Sequence, residues 1–186
     1  MKTSPLLLTL VLLAGCVTSS KMPPKKVEQL KPNEGRVIGS VLLTVPTEKD
    51  PSSWAWLQGR KAESFTYELS IQAPSLLPTP FAKTYVVVAK IGKEEHFVMK
   101  LPAGEYEFKE MKQRGFSNLA SYIGRRFTVP AGVTSYAGRL VVAFPERMVG
   151  GTAFAWQVDD VQDQTIASLK ETYGDVFTNV VKAFVK

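Results

Sequence analysis

The sequence predicts a mainly β fold, a single antiparallel β-sandwich with one or two C-terminal helices packed on it. Three observations predict it. From Phe65 to Gln72 apolar and polar residues alternate, the period of a strand with one buried face. Pro-Ala-Gly stands twice between strand-like runs, at 102–104 and 130–132, and proline early with glycine late suits a short hairpin loop. Beyond residue 160 the period lengthens, with Ile166, Leu169 and Tyr173 forming a helical stripe.

Two segments precede the domain. Lys2 and the amino terminus are followed by the nine-residue apolar run Leu6 to Ala14. A transmembrane helix needs roughly 20 apolar residues, so the run fits the core of an export signal, and residues 1–15 stand outside the fold. The run ends in Leu13-Ala14-Gly15-Cys16, which resembles the lipobox of bacterial lipoproteins. That resemblance implies a diacylglycerol on the Cys16 sulfur, cleavage before Cys16, and acylation of the new amine by a chain such as palmitate. One chain holds weakly, whereas two or three anchor stably. The resemblance also implies an address: Val17, where an inner-membrane lipoprotein carries Asp, favours the periplasmic face of the outer membrane. Cys16 is the sole cysteine, so its modification leaves no thiol for disulfides, metal sites or nucleophilic catalysis.

Residues 16–34 read as a lipidated, disordered tether rich in proline and lysine. Its composition buries too little apolar surface to fold alone, and at about 3.1 Å per residue of extended chain it spans up to about 50 Å. Loss of residues 1–15 removes Lys2 and leaves 22 basic and 17 acidic side chains, a net charge of +5. This mild surplus suits anionic lipid or envelope polymer; its dispersion, with export, argues against nucleic acid.

The sandwich is expected over 35–158. Val37 to Val45 carries apolar residues or glycine at odd positions, and Tyr85 to Ala89 is rich in β-branched residues suited to a central strand. Phe97, Met99 and Leu101 face one way in the next strand, which sends His96 outward with Lys100. Residues 112–124 read as a loop with a helical turn. After it come Phe127 to Val129, a long strand placing Tyr136, Gly138, Leu140, Val142 and Phe144 on one face, and a last strand aligning Phe154, Trp156 and Val158. Residues 159–186 form the helical segment. Asp160 is positioned to cap the first helix, Asp163 lies in its first turn, and Gly174 suits its end. Phe177, Val180, Val181 and Phe184 have the spacing of a second short helix.

The stretches Leu101-Pro-Ala-Gly-Glu-Tyr106-Glu-Phe108 and Phe127-Thr-Val-Pro-Ala-Gly132, with the following Tyr136-Ala-Gly138, resemble the prealbumin-like and carboxypeptidase-regulatory-like sandwiches of bacterial lipoproteins. The likeness covers roughly residues 95–144 and implies a fold; its motif is turn and core chemistry, so it carries no catalytic residue across.

His96 is the only histidine, so a His-rich metal site or a Ser-His-Asp triad would depend on it alone. Asp159, Asp160 and Asp163 lack the spacing of a calcium loop, and no phosphate-binding glycine loop occurs. No metal, cofactor or catalytic residue is therefore assigned, and the protein is not expected to be an enzyme. The contact candidates are of two kinds. Arg125 and Arg126, with Arg114 and Lys112 near in sequence, form the densest basic cluster outside the tether; the plain reading is a solvated loop, the sharper one a patch for a partner or anion. Trp54 and Trp56 share a face if extended; they are core or edge cover, or a platform for a sugar. The expected function is a non-enzymatic, membrane-anchored binding or accessory module for another envelope protein. A glycan- or peptidoglycan-binding module using the two tryptophans is the alternative.

Overall fold

In a computed structural model of the chain, the described residues are 17–19, 27, 29–45, 65–74, 83–114, 120–144 and 154–186. They form ten strands and one helix: β1 (Val17–Ser19), β2 (Glu34–Thr44), β3 (Thr66–Gln72), β4 (Thr84–Lys90), β5 (Glu94–Pro102), β6 (Gly104–Gln113), β7 (Ala120–Val129), β8 (Thr134–Ala143), β9 (Ala155–Asp159), α1 (Gln162–Tyr173) and β10 (Val180–Lys182). The protein is thus mainly β, as expected. The strands divide into two sheets, one in the order β1-β4-β3-β6-β7, the other β10-β8-β2-β5 with β9 also on β8. Pairing is mixed rather than purely antiparallel: β1 runs parallel to β4, and β8 runs parallel to both β2 and β10.

One core joins the sheets. Val37, Val41, Leu43, Phe97, Met99, Leu101, Leu140 and Val142 from the second sheet cluster with Tyr67, Leu69, Ile71, Val87, Phe108, Met111 and Phe127 from the first. Period-two alternation explains most of this set, because each strand gives every second side chain to the same face.

The two Pro-Ala-Gly turns are not hairpins. β5 pairs with β2 while β6 pairs with β3 and β7, so the turn at 102–104 carries the chain from one sheet to the other. The turn at 130–132 does the same between β7 and β8. Both dock on the start of β2: the Ala103 N–H donates to the Asn33 carbonyl and the Gly132 N–H to that of Glu34, each at 2.8 Å. The Tyr106 hydroxyl donates to the Pro102 carbonyl at 3.0 Å, which ties the start of β6 back to the first of the two turns. Burial first, and then the neighbouring Tyr85, push that phenol up to about 12.

Residues 112–124 also depart from expectation. β6 continues to Gln113 and β7 begins at Ala120, so strand occupies both ends of the presumed loop.

The long strand β8 does not keep one face inward. Ile38 pairs with Tyr136 but Ser40 with Arg139, so β8 holds one residue more than β2 at Ala137-Gly138, with Gly138 at φ +98°. Such a bulge reverses the side-chain alternation beyond it. Leu140, Val142 and Phe144 therefore enter the common core, whereas Tyr136 points to the other side of the sheet, beside Ile38 and Val98.

Helix α1 covers that second apolar patch, so it lies on the outer face of the second sheet and not over an edge or open end. Leu169 is buried there, with Ile166 and Tyr173 packed against the cluster, which bears out the helical stripe. The cap is different from the expected one. Val161 stands at the N-cap and supplies no side-chain bond; its own N–H donates to the Tyr136 hydroxyl at 3.0 Å. Asp160, one position earlier, instead meets Lys182, whose hydrogen bond holds its carboxyl below the ordinary range, with a smaller contribution from the Gln162 N–H. Gly174 ends the helix at φ +73°.

The expected second helix is a strand. Val180 and Val181 are β-branched, and β8 before its bulge offers them an edge, so β10 pairs with Thr134 to Tyr136. The chain continues along β8, with Ala183 and Val185 donating to the carbonyls of Tyr136 and Ala137 at 2.9 Å each, and then crosses to the first sheet. There Lys186 and Arg126 exchange backbone hydrogen bonds of 2.8 and 3.0 Å. Val185 is buried in the common core. This segment ties the two sheets together along one side.

Candidate functional site: a groove between β7 and the C-terminal segment

Arg114, Arg125 and Arg126 are not brought together. Arg125 pairs with Phe108 on β6, and Arg114 follows the far end of that strand, roughly 20 Å away at about 3.4 Å per residue. Arg114 lies beside Glu68 at 3.5 Å. Arg125 is exposed. Arg126 lies beside Glu107, Nε to Oε2 at 3.4 Å, with the arginine 62% exposed and the glutamate nearly covered. Cys16, Trp54 and Trp56 lie outside the described residues.

The structure gives Arg126 different company. Where the C-terminal segment meets β7, a groove of about 570 Å³ is lined by Arg126, Thr128, Lys182, Phe184, Lys186 and Glu105, among others. This falls in the size range of ligand-binding clefts, about 300–1,000 Å³. Lys182 and Lys186 are not legible as part of the cluster because their stretch reads as a helix with nothing to place it against β7; the strand and the crossing to β7 set both beside Arg126. The Lys182 ammonium lies 5.8 Å over the Phe184 ring, and that ring meets Tyr136 edge-on at 5.9 Å. The three cations are not bare. Glu105 lies in the lining, Glu107 accompanies Arg126 and Asp160 accompanies Lys182. A mixed set of exposed charges around aromatic carbon suits a surface of mixed charge better than a polyanion, since a charged residue gains most from a partner of opposite sign placed opposite it.

A second polar cluster crosses the outer face of the second sheet. His96 pairs in register with Ser40, Ser40 with Arg139 and Arg139 with Asp159. Glu94 gathers this row. The Ser40 hydroxyl donates to it at 2.5 Å, His96 Nε2 stands 3.7 Å away, and the Arg139 guanidinium 3.6 Å. His96 thus faces outward, as its strand position requires, but it is largely covered, with 23% of its side chain exposed. The order of groups matters chemically. A serine nucleophile needs its base next to the hydroxyl and the acid behind the base; here the carboxylate takes the hydroxyl proton's hydrogen bond, and Ser40 is fully buried. The cluster is a cross-strand polar network. Among the described residues no group of three or more His, Cys, Asp or Glu is arranged to hold a metal.

Arg139 also grips Asp159 through Nη2 at 2.6 Å, and Gln157 adds a further bond. Arg139 first, then Gln157, hold the Asp159 carboxyl below its ordinary 3.8. A depressed folded pKa means this pairing stabilises the fold above the unfolded value and is lost as pH falls through the folded one. Urea unfolding of the protein and of Asp159→Asn should therefore show a stability gap at neutral pH that closes below pH 3.8. A gap that persists unchanged into that acid range would contradict the assignment.

Comparison with known proteins returned no matching family model, no matching curated protein and no matching solved structure.

Proposed function

We propose that this chain is a lipid-anchored, non-enzymatic binding module of the bacterial envelope, on the periplasmic face of the outer membrane, whose two sheets form a prealbumin-like β-sandwich. The observation that carries the reading is the lipobox-like Leu13-Ala14-Gly15-Cys16 behind its short apolar run, with the protein's sole cysteine in the acylated position. The single core between two sheets supports the sandwich, and Tyr106 tied to Pro102 gives a physical reason for the Pro-x-Gly-x-Tyr motif behind the family likeness. No helix among the described residues is long and apolar enough to cross a membrane. The groove beside Arg126, with its balanced charges and aromatic floor, supports another envelope protein as the partner.

Cys16→Ser tests the address. The wild-type protein is expected to incorporate labelled palmitate and to fractionate with membranes, and the variant to lose the label and appear in the soluble fraction with its fold intact. A variant that stays with the membrane overturns the anchor. The partner is tested by crosslinking in intact cells through a photoreactive residue at position 126; recovery of monomer alone in every growth state counts against it.

A further inference from the structure

The pairing of β1 bears on how the domain sits at its membrane. Residues 16–34 suit a spacer that would hold the domain well away from the bilayer. Yet Val17, Thr18 and Ser19 pair in parallel register with Thr84, Tyr85 and Val86 on the edge of the first sheet. Cys16 is one peptide link from Val17, about 3.8 Å between Cα atoms, and Val17 is the residue paired with Thr84, next to Lys83. Residues 20–33 then connect β1 to β2, two strands of the same folded unit, and contribute nothing to the reach of the anchor.

We infer that the lipid on Cys16 emerges directly at the β4 edge of the first sheet, so that the Lys83 end of that edge rests on the membrane bearing the anchor. This deepens the proposed function and rests on lipidation of Cys16. That end carries cations that can meet anionic headgroups, with Glu107 in register beside Gln72 on the neighbouring strand, so it is the position of the anchor rather than net charge that selects it. Lys83 is exposed beside the anchor, its ammonium 5.1 Å from the Tyr85 ring. The exposed Lys109 reaches the same level through side chains: its ammonium donates to the Gln72 carbonyl oxygen at 3.2 Å, and the Gln72 amide to the Thr84 hydroxyl at 2.8 Å. At the other end of β4, Lys90 lies six residues on, about 20 Å along the strand.

Because acylation consumes the sole cysteine, an engineered thiol takes a probe alone. Ala73→Cys, next to Gln72 and exposed, reports the anchored end; the exposed Lys90→Cys reports the other. Each lipidated, full-chain variant is fitted with an environment-sensitive fluorophore and reconstituted in vesicles of zwitterionic and anionic phospholipid containing nitroxide-headgroup lipid. The expected result is several-fold stronger quenching at position 73 than at position 90. In the background Thr18→Pro with Ser19→Pro the difference should vanish. Successive strand residues bond to alternate sides, so the double change removes an N–H that faces β4 in either register. Palmitoylated protein quenched equally at both positions, or more at 90, overturns this inference and leaves the anchor standing. A difference that survives the double proline also overturns it. Protein without palmitate overturns both readings.

Discussion

Gly138→Ala should lower the unfolding free energy of this protein by about 3 kcal/mol. Two costs combine. The φ of +98° at Gly138 lies where a side chain is strained, and such positions cost about 1–3 kcal/mol. A Cβ there would also stand 2.5 Å from Val158 Cγ1 and 3.3 Å from Phe184 Cδ1, and overpacking a filled site costs about another 1–3 kcal/mol. The consequence reaches past the strand. The bulge at Ala137-Gly138 turns Tyr136 out of the common core, and the Tyr136 hydroxyl receives the first free N–H of the helix, that of Val161. Damage to the bulge should therefore loosen α1 as well. Urea unfolding of the Cys16→Ser form checks the magnitude, and hydrogen exchange over 162–173 checks the coupling. A loss under about 1 kcal/mol would mean that β8 holds its bulge without needing glycine at 138.

The same bulge marks where the sequence stops being legible. Alternation from Phe65 to Gln72 gives a strand because each side chain there answers to one neighbour on each side and one core. The period cannot show an inserted residue, so Tyr136 reads as aligned with Leu140 when it lies on the opposite face. Pro-Ala-Gly records that the chain must turn; whether the next strand joins the same sheet is decided by pairings of β5 with β2 and of β6 with β3, far apart in sequence. The tail misleads for a third reason. Phe177, Val180 and Phe184 suit a helix locally, and an unfilled edge of β8 outweighs that preference. The groove inherits this error, since Arg126 is visible in the sequence as part of a basic cluster while Lys182 and Lys186 reach it only through β10 and the crossing to β7.

Phe108→Ala should cost about 3–5 kcal/mol, the range for removing a fully buried aromatic ring. Phe108 has no exposed surface. Its ring lies 5.5 Å from that of Phe127 in the same sheet and 6.1 Å, edge-on, from that of Phe97 on β5 of the other. The contact with Phe97 therefore joins the two sheets directly, and it provides a test of how they share stability. If they face each other over one core, Phe97→Leu and Phe108→Leu should be non-additive, with a coupling of about 0.5–1.5 kcal/mol, the range for such aromatic pairs. Unfolding should also remain a single transition by fluorescence and by circular dichroism, because neither sheet can bury its apolar face without the other. Additive losses, or two transitions assignable to separate sheets, would mean that the sheets are held by their connections and by the C-terminal segment, and the sandwich reading would fail. The distinction matters for the groove. Its walls are β7 on one sheet and a segment hydrogen-bonded to β8 on the other, so a partner gripping both walls would bind more tightly the more rigidly Phe97 and Phe108 hold the sheets in register.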